Sequence, residues 1–191
     1  TYTAKVKVQK EIDYASYLVS ISIDSSIGYL DKLIAGYQTG NTYALGRVIS
    51  LKSWHVAYLA QFEKSLTLGH QALKIQLKEG NDTIGIGLTL NRIGMANMQF
   101  GRYDDSREYI LKALKYFKLG KDLNHTEMIY NNLGVLESEV TNYEGAIKQY
   151  KKSLALRIKL NRHFWVGYSY FNIAQTYVNL EEKDSFKKYI F

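Results

Sequence analysis

A turn signal recurs about every forty residues along this chain. It reads Gly40-Asn41, Gly80-Asn81, Gly120-Lys121 and Leu160-Asn161. A second marker has the same period, because Gly94, Gly134 and Ala174 are spaced forty residues apart. Self-similarity at a fixed period of this size is typical of repeat proteins, in which each unit buries its apolar face against its neighbours. The period therefore predicts a binding surface rather than a catalytic pocket.

Between the turn signals the apolar residues recur with a helical period, and strand signals are poor. Short connections predict antiparallel helix pairs. The predicted helices are 4–20, 24–38, 42–59, 62–78, 83–99, 103–118, 123–139, 143–159, 163–180 and one beginning near Lys183. We expect Gly120 to end the sixth helix, as glycine often does at the position after a helix. The fold class is all-α: a solenoid of four helix pairs and a partial fifth, one domain with units near 1–40, 41–80, 81–120, 121–160 and 161–191.

Composition agrees with a folded helical chain. Hydrophobic residues make up 46% of it, which is enough for a core. It contains no proline, which suits long helices, because proline disrupts a helix interior. It also contains no cysteine, which excludes disulfides and thiolate metal sites.

The net charge of +7 is compatible with binding to nucleic acid, but such binding would require the Lys and Arg residues to lie on one face. Here the lysines are dispersed over successive predicted helices, as solvated outer faces would have them. Examples are Lys112, Lys115 and Lys118 on one helix and Lys148, Lys151 and Lys152 on the next. We therefore expect no nucleic-acid partner, and a weak preference for acidic partners.

No apolar run approaches the roughly 20 residues that a membrane span requires, so we expect this segment to make no membrane contact. The chain begins at Thr1 and stops at Phe191 within a predicted helix, and we expect it to be a fragment of a longer polypeptide. The compartment stays open. The cytoplasm is slightly favoured, and the periplasm is the alternative if an N-terminal signal or anchor has been removed.

Small side chains also keep the forty-residue register within the predicted second helices. One position holds Ser26, Ser65, Ser106 and Ala146, and the position seven residues later holds Leu33, Ala72, Ala113 and Ser153. Aromatic residues stand three residues before the first position, at Phe62, Tyr103 and Tyr143. Small residues at fixed helix positions allow close approach of neighbouring helices, and the aromatic residues fill the space at the turn.

This pattern resembles the tetratricopeptide repeat. The third unit reads Ile93-Gly94, Tyr103, Ser106 and Ala113, the fourth reads Leu133-Gly134, Tyr143, Ala146, Tyr150 and Ser153, and the fifth begins Ile173-Ala174 with Tyr177. The second unit departs most, with Lys52 and Ser53 where Leu-Gly is usual. The family's usual repeat has about 34 residues, whereas HEAT and armadillo units have about 40–47, so a HEAT-like solenoid is the alternative. Lengthened repeats look like those of kinesin light chains, peptide-sensing bacterial regulators and segments fused to sensor kinases.

The resemblance implies a right-handed superhelix whose first helices line a concave face. It also implies an asparagine ladder there that holds the backbone of an extended peptide, because an amide both donates and accepts hydrogen bonds. The residues at these positions are Asn91, Arg92, Asn131, Asn132, Phe171 and Asn172. The alternative is that these amides bond to neighbouring helices.

Helical spacing adds further candidates for the same face, including all the methionines, whose flexible side chains suit irregular partners. They are Leu88, Met95, Met98 and Gln99, then Met128, Val135, Ser138 and Glu139, and finally Tyr168, Gln175, Val178 and Asn179. For each methionine the alternative is ordinary packing between adjacent helices.

No pattern supports catalysis, a metal or a cofactor. The histidines, His55, His70, His125 and His163, lie far apart and lack the spacing of a helical zinc site. Gly85-x-Gly87 lies within a predicted helix and follows no strand, so it fails as a dinucleotide motif. Trp54 and Trp165 are expected to fill gaps between repeats.

The sequence therefore predicts a non-catalytic module that binds a protein or peptide, within a larger regulatory or sensory protein. The composition, rich in Lys, Ile, Tyr and Asn, favours a bacterial source. One alternative is self-association as a homodimer through the terminal repeats. Another is small-molecule sensing for a fused kinase or DNA-binding domain.

Overall fold

The computed structural model of the protein describes residues 2–180, and within that range the chain forms nine α-helices and no strand. The helices are α1 Tyr2–Val19, α2 Ile23–Tyr37, α3 Thr42–Tyr58, α4 Phe62–Glu79, α5 Thr83–Gln99, α6 Tyr103–Leu119, α7 Leu123–Glu139, α8 Tyr143–Lys159 and α9 His163–Asn179. The predicted all-α repeat solenoid is confirmed, with helix bounds close to those expected. The helix predicted near Lys183 lies outside the described residues.

Short polar side chains begin most of the helices. Ser22, Asn41, Asp82, Asp122 and Asn142 each accept a hydrogen bond from the backbone N–H three residues further on. Each cap satisfies a backbone donor that has no partner within the helix. Asn41, Asp82 and Asp122 precede the first helices of their units, so capping repeats with the same period as the turns.

The turn at Gly120 differs from the prediction. Helix α6 ends at Leu119, and Gly120 keeps a right-handed φ of −76°. The next residue, Lys121, takes the left-handed conformation with φ 52°. One unit earlier the left-handed residue is Gly80, at φ 69°, which comes directly after α4, so the two turns place their left-handed residue one position apart.

The two helices of a pair approach closely at small residues. Ser26, Ser65, Ser106 and Ala146 are all buried. A Cβ added to Gly94 would lie 2.7 Å from Ile110 Cγ1 and 3.1 Å from the Ser106 carbonyl oxygen. A Cβ added to Gly134 would lie 2.5 Å from the ring of Tyr150. The repeated glycine therefore marks where the second helix crosses the first.

The helices form two layers. Consecutive helices pack against each other from α1 to α9, and α1, α3, α5 and α7 also contact one another in sequence. We call the surface of the first helices, α1, α3, α5, α7 and α9, the inner face, and that of α2, α4, α6 and α8 the outer face. The largest core cluster joins the third and fourth units around Ile110, Phe117, Ile129 and Leu136. Among residues 2–180, no helix is long and apolar enough to cross a lipid bilayer.

The crossing at Gly94 can be tested by substitution. Gly94→Ala should lower the free energy of unfolding by about 1–3 kcal/mol, because the added methyl group meets the backbone of α6. Gly28→Ala is the matched control: it lies within α2 with no atom within 4 Å of its added Cβ, and should stabilise by about 0.5–1 kcal/mol. Urea unfolding followed by circular dichroism measures both. Equal effects of the two substitutions would contradict the close crossing.

Candidate functional site

The inner face carries the predicted binding residues at very different depths. Asn91, Met98 and Asn131 are buried. The partly buried residues are Arg92, Met95, Met128, Asn132 and Asn172, and the exposed ones are Gln99, Glu139, Tyr168, Gln175 and Asn179. Helical spacing thus gave the direction of these side chains, whereas the neighbouring helices decide how much of each side chain a partner can reach.

The asparagines connect successive first helices. Asn132 Nδ2 donates to Asn91 Oδ1 at 2.9 Å, which joins α7 to α5. Asn172 Nδ2 donates to Asn131 Oδ1 at 3.2 Å, which joins α9 to α7. The amide nitrogens of Asn132 and Asn172 therefore already donate to a neighbouring helix within the fold. The side-chain oxygens of Asn132 and Asn172 accept no hydrogen bond from residues 2–180, and those oxygens could still meet a partner.

The methionines divide between core and surface. Met98 is 7% exposed and belongs to the core cluster of the third and fourth units. Met95 and Met128 pack against that cluster but are only partly buried. Met95 and Met128 therefore offer surface to a partner, and Met98 fills the interior.

An apolar groove of about 330 Å³ opens where α3 and α4 meet α5, and we call it the inner groove. Its walls are Trp54, Ala57, Tyr58, Ala60, Phe62, Arg92, Met95, Ala96 and Gln99. Trp54 and Tyr58 pack edge to face with ring centroids 5.3 Å apart. The groove thus brings together three predicted residues, Arg92, Met95 and Gln99. It adds Trp54, which the sequence analysis assigned to gap filling, and Tyr58, which the sequence analysis did not single out.

The spacing of the helix caps in the sequence indicates where Trp54 and Tyr58 lie. The capping residues Asn41 and Asp82 are 41 residues apart, so the second unit is offset by one from the forty-residue period. With that offset, Trp54 and Tyr58 occupy the positions of Met95 and Gln99. Aligning the units by their caps would have placed both aromatic residues on the inner face.

Arg92 is a cation without a counter-ion at the edge of the inner groove. Its Nη1 donates to Ser50 Oγ at 2.6 Å, and no carboxylate among residues 2–180 pairs with it. The nearby Arg47 is already paired with Asp82, its Nε lying 3.1 Å from Oδ2. Burial, and then the charge of Arg47, lowers the pKa of Arg92 to about 10, so the guanidinium is still charged at neutral pH. An anionic group placed here would relieve an unneutralised charge.

His55 lies close to Arg92 and is only 2% exposed. The Ser26 hydroxyl donates to the Ala15 carbonyl oxygen at 2.7 Å, so its oxygen accepts from Nδ1 of His55 at 2.8 Å. This places the imidazole proton on Nδ1. Burial, and then the charge of Arg92, lowers the pKa of His55 to about 4, which keeps the ring neutral at physiological pH.

A buried charge network fastens the last described units. The Glu127 carboxylate pairs with Arg157 Nε at 2.6 Å and with Arg162 Nη1 at 2.7 Å. Arg157 also donates from Nη1 to Ser169 Oγ at 2.8 Å, which ties α8 to α9. Sequence reasoning missed this network, because partners thirty and more residues apart show no local spacing. Its groups satisfy one another, so it is a structural element rather than a reactive one.

Among residues 2–180, no group of three or more His, Asp or Glu side chains is arranged to hold a metal ion. No carboxylate is among the described residues that line the inner groove, and the Asp82 carboxylate is committed to Arg47 and to the Gly85 N–H. The inner groove therefore offers apolar contact, the side-chain amide of Gln99 and the unneutralised charge of Arg92.

Comparison with protein families agrees with this architecture. Sequence models of the tetratricopeptide repeat match residues 85–159 and 167–190, which together exceed half of the chain. The chain belongs to the tetratricopeptide repeat family, with repeats longer than the family's usual unit. A comparison with curated protein sequences gives no significant match.

Solved structures share the fold at low sequence identity. A Rap protein complexed with competence and sporulation factor has a TM-score of 0.84 at 13% identity, over 94% of this chain and 50% of that one. Aspartyl phosphate phosphatase F of Bacillus subtilis has a TM-score of 0.79 at 20% identity, over 96% and 46%. BtubC of P. vanneervenii has a TM-score of 0.73 at 16% identity, over 97% and 86%. Such identities show similarity of fold alone.

The pKa of His55 predicts a specific loss of stability in acid. The unfolded histidine has the ordinary pKa of 6.5, whereas the folded one has a pKa of about 4, so the unfolded state binds the proton first. The contribution of His55 is fully present above pH 6.5 and is lost as the pH falls toward about 4.

Urea unfolding of the wild type and of His55→Gln across this pH range measures that contribution. The stability difference between the two proteins should shrink by about 1–3 kcal/mol as the pH falls from neutral to about 4. A difference that does not change with pH would contradict the buried, neutral imidazole.

Proposed function

We propose that this chain is a non-catalytic module that captures an extended peptide segment along its inner face. Tetratricopeptide repeats are generally interaction scaffolds, and this chain is a protein-interaction repeat module of that kind. In our proposal it serves as the interaction or sensory part of a larger regulatory protein. The inner groove, with Arg92 at its edge, is the observation that carries the proposal.

The inner groove suits an apolar side chain of the peptide. Its volume of about 330 Å³ lies at the lower end of the range for ligand sites. Trp54, Tyr58 and Met95 are among the apolar residues that line it, and Tyr58 is 61% exposed. Burying such an aromatic residue under a ligand contributes strongly to affinity, because large apolar areas leave water.

Arg92 supports a ligand that carries a negative charge beside that apolar side chain. The guanidinium has lost part of its hydration without gaining a carboxylate, so an anionic group recovers an interaction that the folded chain lacks. An acidic side chain of the peptide or its terminal carboxylate supplies this charge.

The rest of the inner face extends the proposed path of the peptide. The unused oxygens of Asn132 and Asn172 accept backbone N–H groups in this proposal, and Met128 supplies apolar contact between them. The exposed side chains of Glu139, Tyr168, Gln175 and Asn179 continue the path on α7 and α9. The side-chain oxygens of Asn91 and Asn131 accept hydrogen bonds from Asn132 and Asn172 and so hold those two side chains in place.

Peptides selected from a random library against the wild-type protein provide the test. Tyr58→Ala should weaken binding of a selected, fluorescently labelled peptide on the order of tenfold, since it removes a wall of the groove. Arg92→Gln should weaken most those peptides that carry an acidic residue. Fluorescence anisotropy measures the affinities.

Tyr17→Ala is the matched control, because Tyr17 is 60% exposed on α1 and lies away from the groove. It should leave the affinity unchanged. Selected peptides that bind Tyr58→Ala and Arg92→Gln as tightly as the wild type would contradict the proposed site.

Self-association through the terminal repeats is a second candidate, favoured by aromatic residues on α9. Phe164 is 80% exposed and Phe171 is 63% exposed. Phe164→Ser and Phe171→Ser should convert a dimer to a monomer in multi-angle light scattering at micromolar concentration. A wild-type chain that is already monomeric there would eliminate this candidate.

A further inference from the structure

A second groove lies between α6 and α8 on the outer face, with α7 as its floor, and we call it the outer groove. Its volume is about 500 Å³ and its walls are mostly apolar. They are formed by Lys118, Lys121, Leu123, Thr126, Tyr130, Lys152, Ala155 and Leu156. It shares no residue with the inner groove and is formed by other units of the repeat.

Lysines surround the outer groove without acidic partners. Lys118 Nζ lies 5.7 Å and Lys152 Nζ 5.2 Å from the centroid of the Tyr130 ring, so both ammonium groups are held at the rim. No ion pair among residues 2–180 includes Lys118, Lys121 or Lys152. The neighbouring carboxylate of Asp122 is occupied by His125, whose Nδ1 lies 2.6 Å from Oδ2.

The repeat itself does not require this arrangement. One unit earlier, Leu77 and Gly80 stand where Lys118 and Lys121 stand, and the floor residue is the buried Leu90 instead of Tyr130. Lys112 corresponds to Lys152, but it pairs with Glu108 on its own helix. The residue four positions before Lys152 is Lys148 rather than a glutamate, so Lys152 forms no such intrahelical ion pair. Packing between repeats therefore does not account for a groove with apolar walls and lysines at its rim.

We propose that the outer groove binds an acidic segment of a partner protein, in which aspartate or glutamate residues flank an apolar side chain. The carboxylates pair with Lys118, Lys121 and Lys152, and the apolar side chain packs on Leu123, Ala155 and Leu156. The net charge of +7 attracts such a segment from a distance. This site is independent of the inner groove, so the module holds two segments at once.

Charge and shape together favour protein over nucleic acid as the occupant. A phosphate backbone would use the lysines, but bases bind by stacking on exposed aromatic rings. The outer groove offers one ring, and two ammonium groups already lie over it. Its remaining floor is aliphatic, which suits a leucine or a similar side chain better than a base.

The experiment uses two synthetic peptides of equal length, one with glutamates around central leucines and one with lysines in place of the glutamates. Amide chemical shifts of the isotope-labelled protein locate the binding site. The acidic peptide should shift Thr126, Tyr130 and Ala155, and its affinity should fall as salt is added. The basic peptide should cause no shifts there.

Variants separate the groove from general charge. Lys118→Gln with Lys152→Gln should weaken the acidic peptide at least about fivefold, which two lost exposed ion pairs account for. Tyr130→Leu, which installs the residue of the preceding unit, should weaken it about threefold. The control, Lys78→Gln with Lys112→Gln, removes the same charge from α4 and α6 and should change the affinity less than about twofold.

Several results would overturn the proposal. They are equal binding of the basic peptide, shifts confined to the inner groove around Trp54 and Arg92, and equal losses in the test and control variants. Displacement of the acidic peptide by an equimolar single-stranded oligonucleotide would assign the groove to nucleic acid instead. If a variant loses its helical circular dichroism, the proposal is judged from the wild type, by the salt dependence of its affinity for the acidic peptide and by the amides whose chemical shifts change.

Discussion

The close crossing of the two helices in each unit is the constraint on which the rest of the structure depends. At Gly94 and Gly134 the second helix lies so near that even a methyl group meets backbone or aromatic atoms. Such an approach fixes the distance between the layers, and the next first helix must then pack into the space that remains. The line of first helices along the inner face is a consequence of these crossings.

The fold was predictable because its signals are local and repeated. The turn signals, small residues such as Ser106 and the crossing glycines recur with a period of about forty residues, so each unit supports the assignment of the others. For the inner face, the sequence predicted the direction of the side chains but not their exposure. Spacing placed Met95 and Met98 on one side of α5, but the packing of α6 and α7 decides that one is reachable and the other is core. Ion pairs such as Glu127 with Arg162 depend on contacts between units, which no local pattern records.

Both faces carry positive charges that the folded chain does not neutralise, but in physically different settings. Arg92 is partly desolvated beside an aromatic wall, so at the proposed site it would discriminate strongly between charged and neutral groups of a ligand. Lys118 and Lys152 remain near solvent over Tyr130, where attraction is weaker and more sensitive to salt. The inner face is therefore suited to selective contact and the outer groove to rapid, electrostatically guided contact.

The polar contacts between successive first helices are not the same at every junction. Arg92 and Ser50 join α5 to α3, paired amides join α7 to α5, and a second amide pair with the Glu127 network joins α9 to α7 and α8. Although the units look alike in backbone, they are not interchangeable. A shuffled array would keep Arg157 beside Glu127 but would remove Arg162, which lies in the next unit and pairs with the same buried carboxylate. The polar contacts between units thus favour the order in which the repeats occur along the chain.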